Sequence, residues 1–210
     1  MLRFIYGDDL KTHPQLARTM FQDRAYQFHE RLGWPVSVDD NGEERDQYDA
    51  ENPLYIIWET AEGRHGGSLR LLPTTGPTMF NDHFLHLSDG APIKSPLIWE
   101  CTRFCLARGA SARVAAALML GGGEVMQRFG VEHFVGVFDA PMMRIYGGIG
   151  SRPEVIGTSG EGRQKTSVGL WEFTRASQRE IGRRAHISPT LMRLWFDRSF
   201  GAVGPWAQSA

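Results

Sequence analysis

The chain has only two cysteines and seven histidines in 210 residues, and no apolar run long enough to span a bilayer. Each shortage removes a class of function. Cys101 and Cys105 fall in what reads as one extended segment, which at about 3.3 Å per residue sets them roughly 13 Å apart, too far for a disulfide. They read as two small buried side chains of a reduced compartment. The histidines are scattered, and none stands at ligand spacing from an acid or a cysteine, so no metal site is expected. An excess of one charge is also missing. Against 24 Asp and Glu stand 23 Lys and Arg, a net charge of -1 that gives no support to general nucleic-acid binding. Met1 to Gly7 has an apolar run but not the longer apolar region and cleavage site of a signal peptide, so a cytoplasmic protein without a membrane partner is expected.

What is present suits one soluble domain: 41% hydrophobic and 22% charged residues in a chain long enough to bury a core. Strand-like runs are expected at Leu2–Tyr6, Leu54–Glu59, Gly67–Leu72, Leu97–Leu106, Glu132–Phe138, Arg152–Ile156 and Ser167–Thr174. Helices are expected from His13 to Leu32, with Gly33 just past the end, from Ala112 to Phe129, from Ala140 to Tyr146 and from Arg175 to Ala185. Gly33–Asn52 reads as a polar loop, Thr74–Lys94 as an irregular connection, and the chain after about residue 185 as a tail. The fold class that follows is α/β, a single-domain α/β/α sandwich around a mixed central sheet. A basic stretch at Arg175, Arg179, Arg183 and Arg184 hints at a helix-turn-helix, but no bundle surrounds it and nucleic acid is not expected as a partner.

Trp99-Glu100-Cys101-Thr102-Arg103-Phe104 places an acid and a base inside a strand-like apolar run. Burying such charges is costly unless they are paired, so a pocket built around them is plausible. Residues three apart on a regular strand face opposite ways, so Glu100 and Arg103 either serve different partners or a bulge re-aims one of them. Arg24 and Phe28 share a helix face, and Trp34 follows at the helix exit, where an aromatic can close a pocket. Asp46 and Asp49 lie in the polar loop, and Arg70 lies in a strand.

In this order and spacing, Arg24, Phe28, Trp34, Asp46-Gln47-Tyr48-Asp49, Gly67-Ser68-Leu69-Arg70-Leu71-Leu72-Pro73-Thr74 and Trp99 to Phe104 resemble the acyl-homoserine-lactone synthases of the LuxI type. The similarity covers about residues 1–175. It implies a fold like that of the GCN5-related N-acetyltransferases. It also implies an enzyme that acylates the amine of S-adenosylmethionine, a substrate rather than a cofactor, from a thioester on acyl carrier protein or coenzyme A. Lactone closure then releases 5'-methylthioadenosine, and the acylated lactone serves as a quorum-sensing autoinducer.

Within that resemblance Glu100 is expected as general base and backbone N–H groups near Phe104 and Cys105 as oxyanion donors, with Arg103 beside them. Phe28 and Trp34 would face the sulfonium. Asp46 and Asp49 would orient the ammonium and organise a mobile lid over about residues 1–52, and Arg24, Arg70 and Arg103 would pair with these carboxylates and with Glu100. Met119, Met126, Phe138, Met142 and Tyr146 are expected to line the acyl chain, and Arg152, Arg163 and Lys165 to dock an acidic carrier protein. Family members that take 3-oxo chains carry a Thr near Phe138 or Asp139, which this chain lacks, favouring a C3-unsubstituted or 3-hydroxy chain. The expected division is a synthase domain over 1–185 and a tail over 186–210. Two rivals stand beside this reading: an N-acyltransferase using acyl coenzyme A with another amine, and a binding protein that keeps the fold without catalysis.

Overall fold

Apolar side chains alternating on seven short runs build one sheet, which sorts its two faces onto different helices. The computed structural model describes residues 1–200. Its strands are β1 (Leu2–Tyr6), β2 (Leu54–Glu59), β3 (His65–Pro73), β4 (Ile98–Leu106), β5 (His133–Asp139), β6 (Glu154–Ser159) and β7 (Thr166–Trp171). They lie in the order β1-β2-β3-β4-β5-β7-β6, antiparallel except at β4–β5. Leu2, Phe4, Leu54, Ile56, Leu69 and Leu71 face helix α3 (Ala112–Phe129). One residue along each strand, Ile5, Tyr55 and Ile57 face helix α1 (Pro14–Arg24) through Leu16, Met20 and Phe21. This is the period-two alternation of a sheet covered on both sides.

Helix α3 is buried from Val114 to Met126 although Gly121, Gly122 and Gly123 stand at its centre. Each costs about 1 kcal/mol of helix propensity relative to Ala. The cost is offset by close approach: a methyl at Gly121 would meet Ile56 at 3.0 Å, at Gly122 the Phe134 ring at 3.1 Å, and at Gly123 the Phe173 ring at 3.1 Å.

Three expectations change. The first helix ends at Arg24 and continues as a π-helical segment over Ala25–Arg31, a form that gathers at functional sites, before Gly33 turns the chain at φ 65°. The connection between β3 and β4 is not irregular throughout. It holds helix α2 (Met79–His83), capped by the Thr78 hydroxyl, and a 3-10 turn at Leu85–Ser88, and Phe80 and Leu87 pack on Val135 and Val168. The third change is at the end of the chain. Helices α4 (Ala140–Ile149) and α5 (Arg175–Ala185) are followed by α6 (Pro189–Phe200), where a tail was expected. Phe196 meets Phe4 with ring centroids 5.0 Å apart, and the Phe4 N–H donates to Ser199 Oγ at 3.2 Å. Residues 189–200 therefore belong to the domain, and the rest of the expected tail, 201–210, lies outside the described residues. No described helix is long and apolar enough to cross a membrane.

Candidate active site

Strands β4 and β5 pair in parallel over only three residues, Ile98–Glu100 against His133–Val135. Beyond Glu100 they part, and a cavity of about 290 Å³ opens between Cys101–Phe104 on β4 and Gly136–Asp139 on β5. One end is closed by Phe28 and Trp34, stacked with centroids 5.1 Å apart and planes within 19°. The other end is apolar, walled by Phe134, Phe138, Trp171, Phe173 and the bare backbone of Gly122.

Beneath the aromatic end lies a closed ring of alternating charge. Arg24 donates to Glu44 at 2.6 Å and, through both terminal nitrogens, to Asp49 at 2.9 Å each. Arg70 donates to Asp49 at 2.8 Å and to both oxygens of Asp46 at 2.5 and 3.0 Å. Arg103 joins Asp46 at 2.8 Å to Glu44 at 2.9 Å and closes the circuit. Each arginine bridges two acids and each acid two arginines, so the charges cancel. Such pairing is what makes the burial of Arg24, Arg70 and Glu44 tolerable. Burial raises the Asp49 carboxyl, but Arg24, Arg70 and the Tyr55 hydroxyl at 2.5 Å outweigh it and hold the group well below the usual carboxylate range. Glu44, which the sequence reading did not single out, is as central as the expected five.

Arg103 reaches the ring because β4 bulges. Ser68 pairs with Cys105 and Arg70 with Thr102, so three steps on β4 match two on β3, and Arg103 takes φ 53°. A non-glycine residue in that region costs about 1–2 kcal/mol, a strain repaid here by two ion pairs. The bulge turns Arg103 onto the face of Glu100 and Thr102, with its guanidinium carbon 5.3 Å from the Phe28 ring centroid.

Glu100 belongs to a different cluster. None of the three arginines donates to it, contrary to expectation. Its carboxylate accepts the first two amides of α2 instead, from Met79 at 3.0 Å and Phe80 at 2.6 Å. Burial pushes its carboxyl up to about 7, against the pull of those amides. Met79 and Thr102 line the cavity; Glu100 does not, but it stands two residues before Thr102 on β4 and holds the Met79 amide. Asp46 and Asp49 also differ from expectation, since arginines, Tyr55 and backbone amides occupy their oxygens and leave no free oxygen aimed at an ammonium.

Of the expected acyl-chain residues, Met119, Phe138, Met142 and Tyr146 line the cavity, as do Phe104 and Arg103. Met126 does not. It lies about two helical turns beyond Met119 and lines a separate surface groove that Phe173 also borders. Arg152, Arg163 and Lys165 are exposed; Arg152 packs over Gly147 of α4, the helix that carries Met142 at the cavity wall. A second buried relay, Asp23 to His65 at 2.7 Å and His65 to Ser68 at 3.0 Å, has the residue types of a hydrolytic triad. None of its three residues lines the cavity, and burial lowers the His65 pKa, so it serves as a tie between α1 and β3. No group of side chains able to hold a metal occurs among the described residues.

The family model described as autoinducer synthase matches residues 8–181. An acyl-homoserine-lactone synthase of Rhizobium etli is 42% identical over 198 residues, 91% of this chain and 92% of that protein. Among solved structures, the CoA-dependent acyl-homoserine lactone synthase MesI superposes with a TM-score of 0.78 at 23% identity, covering 90% of this chain and 96% of that one. TofI, solved in a ternary complex with an inhibitor and MTA, gives 0.66 at 28% identity over 83% and 91%. A putative N-acetyltransferase from Lactobacillus plantarum shares the fold alone, with a TM-score of 0.52 at 16% identity.

Proposed function

The chain belongs to the autoinducer synthase family, and we propose that it makes an N-acyl-L-homoserine lactone from S-adenosylmethionine and an acyl thioester by the following division of labour. The carrying observation is the single cavity that joins an aromatic, arginine-backed end to an apolar end through the parting of β4 and β5. A cationic amino acid and a lipid chain fit its two ends, with the reacting atoms meeting at the parting.

The sulfonium lies against the faces of Phe28 and Trp34, where an aromatic quadrupole attracts a cation. The ring of six charges holds those aromatics and Arg103 in place and does not itself bind the ammonium. The amine is mostly protonated near neutral pH and must lose a proton before it attacks. Glu100, poised near neutrality, takes that proton through a water beside Met79 and Thr102. The amine nitrogen then attacks the thioester carbon. The oxyanion accepts N–H groups from the Phe104–Cys105 stretch of β4, the tetrahedral intermediate collapses, and the thiolate leaves with a proton. In the second step the substrate's own carboxylate oxygen displaces the sulfonium. One C–O bond forms, one C–S bond breaks, and 5'-methylthioadenosine departs. That step is intramolecular and needs mainly a folded-back conformer. If the thioester is carried on an acidic carrier protein, the exposed Arg152, Arg163 and Lys165 suit its docking.

Incubation of the protein with S-adenosylmethionine and acyl thioesters of both carriers tests the reading by mass spectrometry. Acylated lactone and 5'-methylthioadenosine in equal amounts are expected. Acylation of another amine that proceeds without S-adenosylmethionine would overturn it.

A further inference from the structure

The apolar end of the cavity is closed by one side chain. Phe173, two residues beyond the last strand, is the one described residue that borders both the cavity and the groove of about 640 Å³ on the protein surface behind it. Met126, His133 and Gln178 line that groove. The Phe173 ring is half-buried, meets Phe134 edge-on with centroids 6.3 Å apart, and rests on the bare backbone of Gly123. A side chain at 123 would push it away, so the glycine is what allows the plug to seat. Gly122, one residue earlier, bares the cavity wall itself, with Phe134 at 3.1 Å from where a methyl would stand.

We propose that Phe173 is the end stop of the acyl tunnel and that, with Gly122, it sets the longest acyl chain the enzyme accepts. This rests on the synthase reading above, in which the apolar end holds the acyl chain. A chain whose last carbon reaches the ring fills the tunnel. One more methylene meets it, and in a packed pocket each methylene is worth roughly ten- to two-hundredfold in discrimination. Removing the ring joins cavity and groove into a passage open to solvent, and the methionine that the sequence placed along the chain, Met126, then borders the path. Adding a methyl at Gly122 does the reverse, by intruding on the wall and pressing on Phe134.

The test uses two readouts on the full chain. Competition among acyl thioesters from butanoyl to hexadecanoyl, with lactones quantified by mass spectrometry, gives the length profile. Calorimetry with non-hydrolysable acyl thioethers of the same lengths gives binding without turnover. Phe173→Ala should move the upper limit of both profiles to longer chains, with a gain of about tenfold or more for the first chain excluded by the wild type. Gly122→Ala should move it to shorter ones. Phe173→Leu, which keeps an apolar plug of smaller size, should fall between and covers the case in which the alanine variant fails to fold. Profiles that stay unchanged in folded Phe173 variants would overturn the proposal. Absence of lactone from the wild type with every thioester, while thioethers still bind with a length limit that Phe173→Ala moves, would overturn the synthase reading and leave the end stop standing.

Discussion

Beneath one end of the cavity six charged side chains hold one another in a closed ring, and at the other Phe134, Phe138, Trp171 and Phe173 are held by packing, two of them over the bare backbone of Gly122 and Gly123. The first arrangement is directional and mutually dependent: each arginine fixes two acids, so no member can change alone. The second is set by shape, which adjusts in small steps. A site that must recognise one invariant cation and an acyl chain of selectable length gains from keeping the two kinds of order apart. The parting of β4 from β5 is where they meet.

The largest effect is expected from breaking the ring. Glu44→Ala leaves Arg24 and Arg103 facing each other without their shared acid, and loss of one partner from a buried pair costs about 3–5 kcal/mol. Urea denaturation should show that loss; a change within error would mean that the ring adds nothing to stability. Glu100→Gln acts on chemistry instead, since Gln keeps the size but cannot take a proton. Turnover should fall about 10²-fold or more, while stability in urea falls only by the roughly 1–3 kcal/mol of the one helix amide that the Gln NH2 cannot accept. The wild-type single-turnover rate should rise with pH through about 7, as the carboxyl, raised by burial, gives up its proton and becomes a base. That inflection should vanish from the residual rate of the Gln variant. An inflection that survives would assign it to another group. The smallest effect belongs to the apolar end. Met142→Leu keeps volume and should cost under about 1.5 kcal/mol, read as a modest redistribution among acyl lengths. A collapse of activity there would erase the contrast between the two ends.

The two ends also differed in how openly the sequence displayed them. Arg24, Asp46, Asp49, Arg70 and Arg103 stand in motifs whose spacing survives inspection, and the ring joins all five. Glu44 was invisible because it sits in Glu43-Glu44-Arg45-Asp46, where nothing local separates a buried acid from solvated neighbours. The spacing of Glu100 and Arg103 suits a bulge and a regular strand alike, since a period of two does not reveal where it fails. Met126 was misplaced because helical spacing puts it in line with Met119, and only the long-range arrival of Phe173 cuts it off. Helix α6 did carry a signal: Ser188 before Pro189, then Leu191, Met192, Trp195 and Phe196 at helical spacing.

The neutrality of the ring reaches beyond stability. Six charges summing to zero, three of them buried and three half-buried, arranged around a circuit, project almost no field past their own neighbours, and salt has little left to screen. The sulfonium is therefore not drawn in from a distance. It must collide with the aromatic pair and be kept by contact, so its rate of capture should hardly respond to ionic strength.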